Sequence, residues 1–462
     1  MTQPASRLVC AGCGDEPRPG EPYPFRCPNA GRDDDVDHVL RRELDLSQVR
    51  FPAGDPEPNP FVRYRQLLHA YHVAAAGGIG DEEFCTLVRR LDERIAAVDG
   101  HGFAATPFGR SDELSDRLGF SAVGGVWVKD ETGNVSGSHK ARHLFGVLVY
   151  LEVVERLGRT APAERRDLAI ASCGNAALAA AVVAAAGERT LRVFVPVDAD
   201  SLVLERLEEL GALITACPRT AGVPGDPTVH RLLEALAGGA LPFTCQGNLN
   251  GLAVEGGETL AWEIASAGVP LDRLVVQVGG GALASACSHG FREAHALAHC
   301  PRPRLDTVQT EAAWPLKRAF DAVTARGGAG VLHDASQHRS AFMWPWEHEP
   351  HSIAHGILDD ETYDWLAVVD GMLSTGGTPV VVGESTLEQA NVLAREATGI
   401  AVDPTGSSGL AGLLALREAG GVVDDECVAL LFTGVSRSDV HDDKEGRDEK
   451  LSRSRHPVAQ GF

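Results

Sequence analysis

Lys140 lies in the run Ser136-Gly137-Ser138-His139-Lys140-Ala141-Arg142, just behind a strand-like stretch ending Val128-Lys129-Asp130-Glu131. A lysine amine is a poor nucleophile while protonated. In a partly apolar site its pKa falls, and it can then hold an aldehyde as a Schiff base. Taken alone, Lys140 reads as a solvated residue at the start of a helix over 141–151. Yet cations such as Lys140 and Arg142 at a helix N-terminus oppose the macrodipole, so an anion is expected beside them. Three small-residue segments downstream, Ser172-Cys173-Gly174-Asn175, Gly279-Gly280-Gly281 and Thr433-Gly434, could complete such a site.

Each segment has its own chemistry. Gly279-Gly280-Gly281-Ala282 follows an apolar run and opens a helical one. Glycines let backbone N–H groups converge, and a helix N-terminus favours a phosphate dianion. The lysine of a GxxxxGK[ST] nucleotide loop is missing. Ser172-Cys173-Gly174-Asn175 could take a second anion, such as an α-carboxylate; the structural alternative is a plain N-cap. Thr433 closes the last strong strand pattern. A neutral hydroxyl beside a pyridine nitrogen leaves that nitrogen largely unprotonated, which suits eliminations and replacements. Thr433 could instead meet its own backbone, and Ser407 is a rival for the same role. A lysine, two backbone-rich anion cradles and a late hydroxyl, in this order, point to pyridoxal 5′-phosphate.

These residues need rigid elements behind them. Apolar runs at 168–171, 191–195, 212–215, 274–278, 379–382 and 428–432 read as buried strands. Helical patterns cover 84–98, 176–186, 202–210, 282–298, 387–397 and 408–416. Such alternation predicts an α/β fold with mostly parallel open sheets, whose ligands gather at strand C-termini and helix N-termini. The four prolines between Pro52 and Pro60 mark a linker. Residues 1–48 form a cysteine-containing, ribbon-like start, 439–462 a charged tail, and 314–376 an irregular insertion rich in histidine.

The net charge is 42 − 64 = −22. With no basic surplus, nucleic acid and anionic membranes are poor partners. No apolar stretch is long enough to cross a bilayer and no signal-peptide core follows Met1, so a cytoplasmic location is expected. The ten cysteines are scattered and fit a reducing compartment better than a disulfide framework. Cys10, Cys13 and Cys27 begin zinc-ribbon spacing, but Ala30 stands where a fourth thiolate belongs. His38 or one of Asp33 to Asp35 could replace it; a structural zinc site and a metal-free ribbon both remain open.

The set resembles the fold-type II pyridoxal phosphate enzymes (the tryptophan synthase β family), and within them the threonine synthase-like branch. Their lysine motif reads roughly TGSFKxR, against Ser136-Gly137-Ser138-His139-Lys140-Ala141-Arg142 here. Their S-x-G-N loop matches Ser172 to Asn175, their glycine loop Gly279 to Leu283, and their Thr-Pro-Leu resembles Thr106-Pro107-Phe108. The segment Asn59-Pro60-Phe61-Val62-Arg63-Tyr64 resembles the stretch between ribbon and core in threonine synthases.

The resemblance implies two domains. A large cofactor domain would come from 49–135 and 249–438, a small α/β domain from 136–248. It implies that Lys140 binds the cofactor and then acts as the base for the α-proton. Gly279, Gly280, Gly281, Ala282 and Leu283 would hold the phosphate, Asn175 the ring hydroxyl, and Thr433 the ring nitrogen. Ser138, Ser172, Cys173 and Gly174 would face the substrate, and Arg142 would steer a substrate phosphate. A homodimer and a small amino-acid substrate are implied as well. His139 replaces the usual phenylalanine and Ala141 a common aspartate, and the glycine loop looks more like that of the serine/threonine dehydratases.

Function is therefore expected to be α-proton abstraction followed by β or γ elimination or replacement, threonine synthase-like. A serine/threonine ammonia-lyase, a β-replacing synthase and a non-catalytic pyridoxal phosphate-binding relative are the alternatives. A nucleotide-dependent enzyme using Gly279 to Gly281 is disfavoured, because no acidic residue is well placed for a ribose.

Overall fold

A computed structural model describes residues 5–31, 34–219 and 226–437. The expected charged tail lies outside the described residues. The strands are β1 (Ser6–Cys10), β2 (Leu40–Leu44), β3 (Phe108–Ser111), β4 (Gly125–Asp130), β5 (Leu168–Ala171), β6 (Leu191–Val195), β7 (Leu213–Ala216), β8 (Leu241–Pro242), β9 (Arg273–Gln277), β10 (Arg304–Thr310), β11 (Pro379–Val382) and β12 (Cys427–Phe432).

They form three sheets. The largest runs β11-β10-β9-β12-β4-β3, parallel throughout except that β3 pairs antiparallel with β4. A second, wholly parallel sheet runs β7-β6-β5-β8. β1 and β2 make a separate antiparallel ribbon. Apolar runs such as Leu274-Val275-Val276 are buried on both faces because helices cover both sides of a parallel sheet.

The chain is a mixed α/β protein whose two parallel-rich sheets are drawn from different stretches of sequence. Strands of the smaller sheet come only from 168–242, and those of the largest from 108–130 and 273–432. An apolar block carried by two helices, Lys140–Arg156 and Asn175–Ala186, packs with Leu168, Ile170, Leu191 and Val193 of the smaller sheet. The second is nearly all alanine and valine and is buried around most of its circumference. Such a helix is held by packing on all sides and not by an amphipathic stripe.

Two expectations need correction. The insertion at 314–376 is not irregular throughout: it contains the helices Pro315–Ala325 and Trp365–Thr375. Leu316, Ala319 and Val323 of the first and Trp365, Val368 and Met372 of the second reach the core beside the largest sheet. Likewise Pro60 belongs to no linker; it opens the short helix Pro60–Arg63, capped by the side chain of Asn59.

Candidate active site

The lysine loop and the end of β12 are knitted together. Ser136 and Gly137 turn the chain through left-handed conformations, φ 59° and 70°. A side chain on Gly137 would stand 2.6 Å from Val435, so glycine allows the approach. Val435 N–H donates to the Gly137 carbonyl at 2.9 Å and His139 N–H to the Thr433 carbonyl at 3.1 Å. Lys140, the first residue of its helix, is thereby fixed next to Thr433. Its amine makes no hydrogen bond or ion pair among the described residues. Around it, Ser136 Oγ, Ser138 Oγ and His139 Nε2 are buried without partners. Burial, helped by the nearby Lys140 charge, drives the His143 imidazole down to about 3 and that of His139 well below its usual value. Both rings are therefore neutral.

The glycine loop faces this lysine. Gly279 and Gly280 follow β9 and Val278, and Gly281, at φ 98°, turns the chain into the helix Ala282–Ala298. Ala282 and Leu283 are buried in its first turn. The loop amide of Gly280 donates to the carboxylate of Asp359, which comes from the insertion. A side chain on Gly279 would collide with that same carboxylate, and one on Gly280 with Tyr363. Thr362 donates to the Gly279 carbonyl at 3.0 Å and Asp364 N–H to that of Gly280 at 3.0 Å. Burial pushes Asp359 up to about 6, against the opposing pull of Lys140. The Gly280 amide thus has an acidic acceptor, so this N–H is available to an anionic group at the loop.

Asp364 closes the far side of the loop, accepting the N–H of Gly247 at 3.2 Å. Burial raises its carboxyl to about 7 from an ordinary 3.8. The folded pKa lies above the unfolded one, so the stabilisation is complete below pH 4 and is lost as pH rises through about 7. We expect up to ~4 kcal/mol of stability to disappear across that window, and Asp364→Asn to flatten the dependence. Thermal melts of both proteins from pH 4 to 8 check this.

Asn175 caps neither its own helix nor a ligand here. Its amide N–H donates to Asp403 at 3.3 Å, and its oxygen accepts from Arg437 at 2.8 Å. Ser172, Cys173 and Gly174 precede it in a partly exposed turn, where Gly174 N–H meets Ser172 Oγ at 3.4 Å. Ser407, the rival hydroxyl, is engaged in its own turn, donating to the Asp403 carbonyl at 3.1 Å and accepting from Asn391 at 2.9 Å. Thr433 Oγ1 by contrast only accepts, from Gln277 at 2.7 Å.

Arg142 is not where a substrate-steering cation would be. It is fully buried, pairing with Glu131 at 2.7 Å and Glu263 at 2.6 Å and donating to Thr259 at 3.0 Å. Lys129 joins Glu263 from the other side and donates to the Thr106 carbonyl at 2.7 Å. Burial works to raise the Glu263 carboxyl, but the two cations outweigh it and hold it below the usual range. The expectation that Arg142 contacts a phosphate fails because its guanidinium is already neutralised beneath the site.

Cys10, Cys13, Cys27 and His38 place their ligand atoms within 4.8 Å of one another. Sγ of Cys10 lies 3.6 Å from His38 Nδ1, whose other nitrogen lies 3.2 Å from Asp34. That carboxylate fixes the ring, as outer partners of metal-binding histidines do.

A family model for pyridoxal-phosphate dependent enzymes matches residues 101–434. The chain belongs to this family. It is 26% identical over 337 residues to threonine synthase of Methanocaldococcus jannaschii, covering 71% of this chain and 74% of that one. Maize serine racemase shares its fold with a TM-score of 0.56 at 17% identity, over 80% of this chain and 98% of that one. The L-serine ammonia-lyase of Rhizomucor miehei does so with 0.55 at 17%, over 74% and 98%. The chain is thus a member of the pyridoxal-phosphate dependent enzyme family with the fold that these proteins share. Among its described residues no helix is long and apolar enough to cross a membrane.

Sequence reasoning missed Gln277, Asp359, Asp364, Asp403 and Arg437. Gln277 lies inside the apolar run 274–278 and reads there only as part of a strand; the others lie in no periodic or glycine-rich motif. Only the acidic run Asp359-Asp360-Glu361 in the insertion was a signal.

Proposed function

We propose that Lys140 binds pyridoxal phosphate and afterwards carries the α-proton of an amino-acid substrate, which then loses a β or γ substituent. One observation supports this reading: a lysine amine without hydrogen bond or ion pair among the described residues follows His139, which is tied to Thr433, and its charge acts on Asp359 at the glycine loop. Bound pyridoxal phosphate supplies a sink for the electrons left at Cα. The protein's part is positional. Gly279, Gly280, Gly281, Ala282 and Leu283 would take the phosphate, Asn175 the ring hydroxyl and Thr433 the ring nitrogen. Ser138 and the Ser172-Cys173-Gly174 turn would face the substrate.

Threonine synthase-like elimination and replacement is the leading version, supported by the matched relatives. One observation favours an ammonia-lyase acting on an unphosphorylated hydroxy amino acid. Arg142 is unavailable, and Asp226, Asp359, Asp360 and Glu361 all act on Tyr363 beside the glycine loop. Such a surround opposes a phosphorylated side chain. A visible spectrum during titration with O-phosphohomoserine, serine and threonine, followed by product analysis, separates the versions. Threonine with phosphate supports the first and 2-oxo acid with ammonia the second; neither product from any substrate sinks both.

Asp359 should compete with the cofactor phosphate. Asp359→Asn removes its charge and should tighten pyridoxal phosphate binding about 5- to 50-fold, some 1–2 kcal/mol, if one partly screened repulsion is lost. Equilibrium dialysis measures it, and unchanged or weaker binding counts against the competition.

The same reading includes a homodimer in the cytoplasm, by analogy with the fold group, and zinc at Cys10, Cys13, Cys27 and His38. Three thiolates and an imidazole suit a closed tetrahedral zinc site. Chelation should then lower the melting temperature and release about one equivalent of zinc, while Cys27→Ala protein should show neither effect. Metal analysis of the purified protein beside a calorimetric scan tests it.

A further inference from the structure

Gln277 ends β9, two residues before the glycine loop, and is almost fully buried. Its side-chain nitrogen lies 2.9 Å from the Gly406 carbonyl, 3.2 Å from the Leu431 carbonyl and 2.7 Å from Thr433 Oγ1. The two carbonyls fix which way the amide points. Carbonyl oxygens only accept, so the NH2 end faces them; of its two N–H groups, one takes the shortest contact, 2.7 Å to Thr433 Oγ1, and the other serves the carbonyls. The hydroxyl proton of Thr433 is therefore not spent on Gln277. It meets no acceptor among the described residues. The Thr433 carbonyl is held separately, by His139 N–H at 3.1 Å, next to Lys140. Thr433 is thus anchored at both ends, with one O–H left to donate into the site.

We propose that Gln277 is a positioning residue that makes the Thr433 hydroxyl a donor, and so keeps the cofactor's ring nitrogen unprotonated. The inference rests on the reading above that Thr433 faces that nitrogen. A nitrogen that accepts a hydrogen bond cannot also carry a proton. The bound cofactor would then withdraw electrons less strongly than a protonated one, which favours reactions that expel a leaving group. Without the Gln277 N–H, the hydroxyl is free to rotate and present a lone pair, and the nitrogen can take up a proton.

Gln277→Glu tests this with nearly the same shape. Ionised, the carboxylate accepts from Thr433. Neutral, its single O–H goes to one of the two carbonyls and its C=O faces Thr433. In either state the neighbour of Thr433 turns from donor to acceptor. The readout is the 15N shift of full-length protein loaded with pyridoxal phosphate labelled at the ring nitrogen, followed from pH 6 to 9. Borohydride trapping at Lys140 is run on the same samples. We expect an unprotonated nitrogen in the parent and a protonation constant at least tenfold higher in Gln277→Glu. Gln277→Met, which also lacks the donor, should move it the same way if the glutamate variant does not fold.

Thr433→Val removes the hydroxyl, and in that background Gln277→Glu should have no further effect on the shift. A merely structural role for Gln277 would lower the melting temperature in both backgrounds and leave the 15N shift where it was. That result, or a protonated nitrogen in the parent, overturns the proposal alone. An untrapped parent protein overturns the cofactor reading together with it.

Discussion

Lys140→Ala protein is expected to lose turnover by about 10²–10⁴-fold or more and to give no borohydride-trapped adduct, while melting near the parent temperature. The lower figure is what a positioned proton-transfer group contributes by itself; losing the covalent anchor adds to it. Stability should hold because the amine makes no hydrogen bond or ion pair among the described residues. Its removal leaves no buried group unsatisfied. Absorbance, trapping and calorimetry on one preparation decide the matter. Surviving turnover would move the chemistry to another residue. A large fall in melting temperature would mean that the lysine has a structural role that the contacts around it do not suggest.

The second large effect lies beneath the site. Glu263→Ala should cost about 3–5 kcal/mol, because it leaves the fully buried Arg142 short of one of its two carboxylates and strips Lys129 of its ion pair. The penalty comes from charge stranded in a low-dielectric interior, not from the worth of the pair itself. Glu263→Gln should cost less, since it retains a hydrogen-bond acceptor. Urea unfolding at neutral pH gives the comparison. A cost under about 1 kcal/mol would mean that water reaches the two cations and relieves them.

Much of the scaffold could be read in the residues, for a definite reason. Runs such as Leu168-Ala169-Ile170-Ala171 and Val428-Ala429-Leu430-Leu431-Phe432 are apolar throughout because both faces of a parallel strand are buried, and both are strands. The glycine loop and the lysine loop were legible because small residues there have a backbone task. β10 was not legible. Its sequence Arg304-Leu305-Asp306-Thr307-Val308-Gln309-Thr310 looks half polar, yet only Arg304 is exposed. Asp306 is satisfied there by Arg273 and Thr378, partners that only the folded sheet brings near.

Arg142 failed for the same reason. Its motif position is right, but the neutralising carboxylates come from residues 131 and 263, and no local pattern announces them. Gln277 and Asp359 are likewise defined by what they meet, not by what precedes them in the chain. His38 was one of several candidates for the fourth ligand position beside the cysteines; the fold alone brings it into the cluster.

The ribbon has a last consequence. Arg339 pairs with Asp37 across 302 positions, Ser340 N–H meets Asp35 across 305, and Gln337 reaches the Gly12 carbonyl across 325. On the ribosome, the ribbon must therefore wait for the synthesis of at least the 302 positions that separate Asp37 from Arg339 before its docking surface exists. Cys10 and Cys27, buried in the finished fold, thus lack the docked segment's cover during that interval, which makes the ribbon a place for oxidation during synthesis.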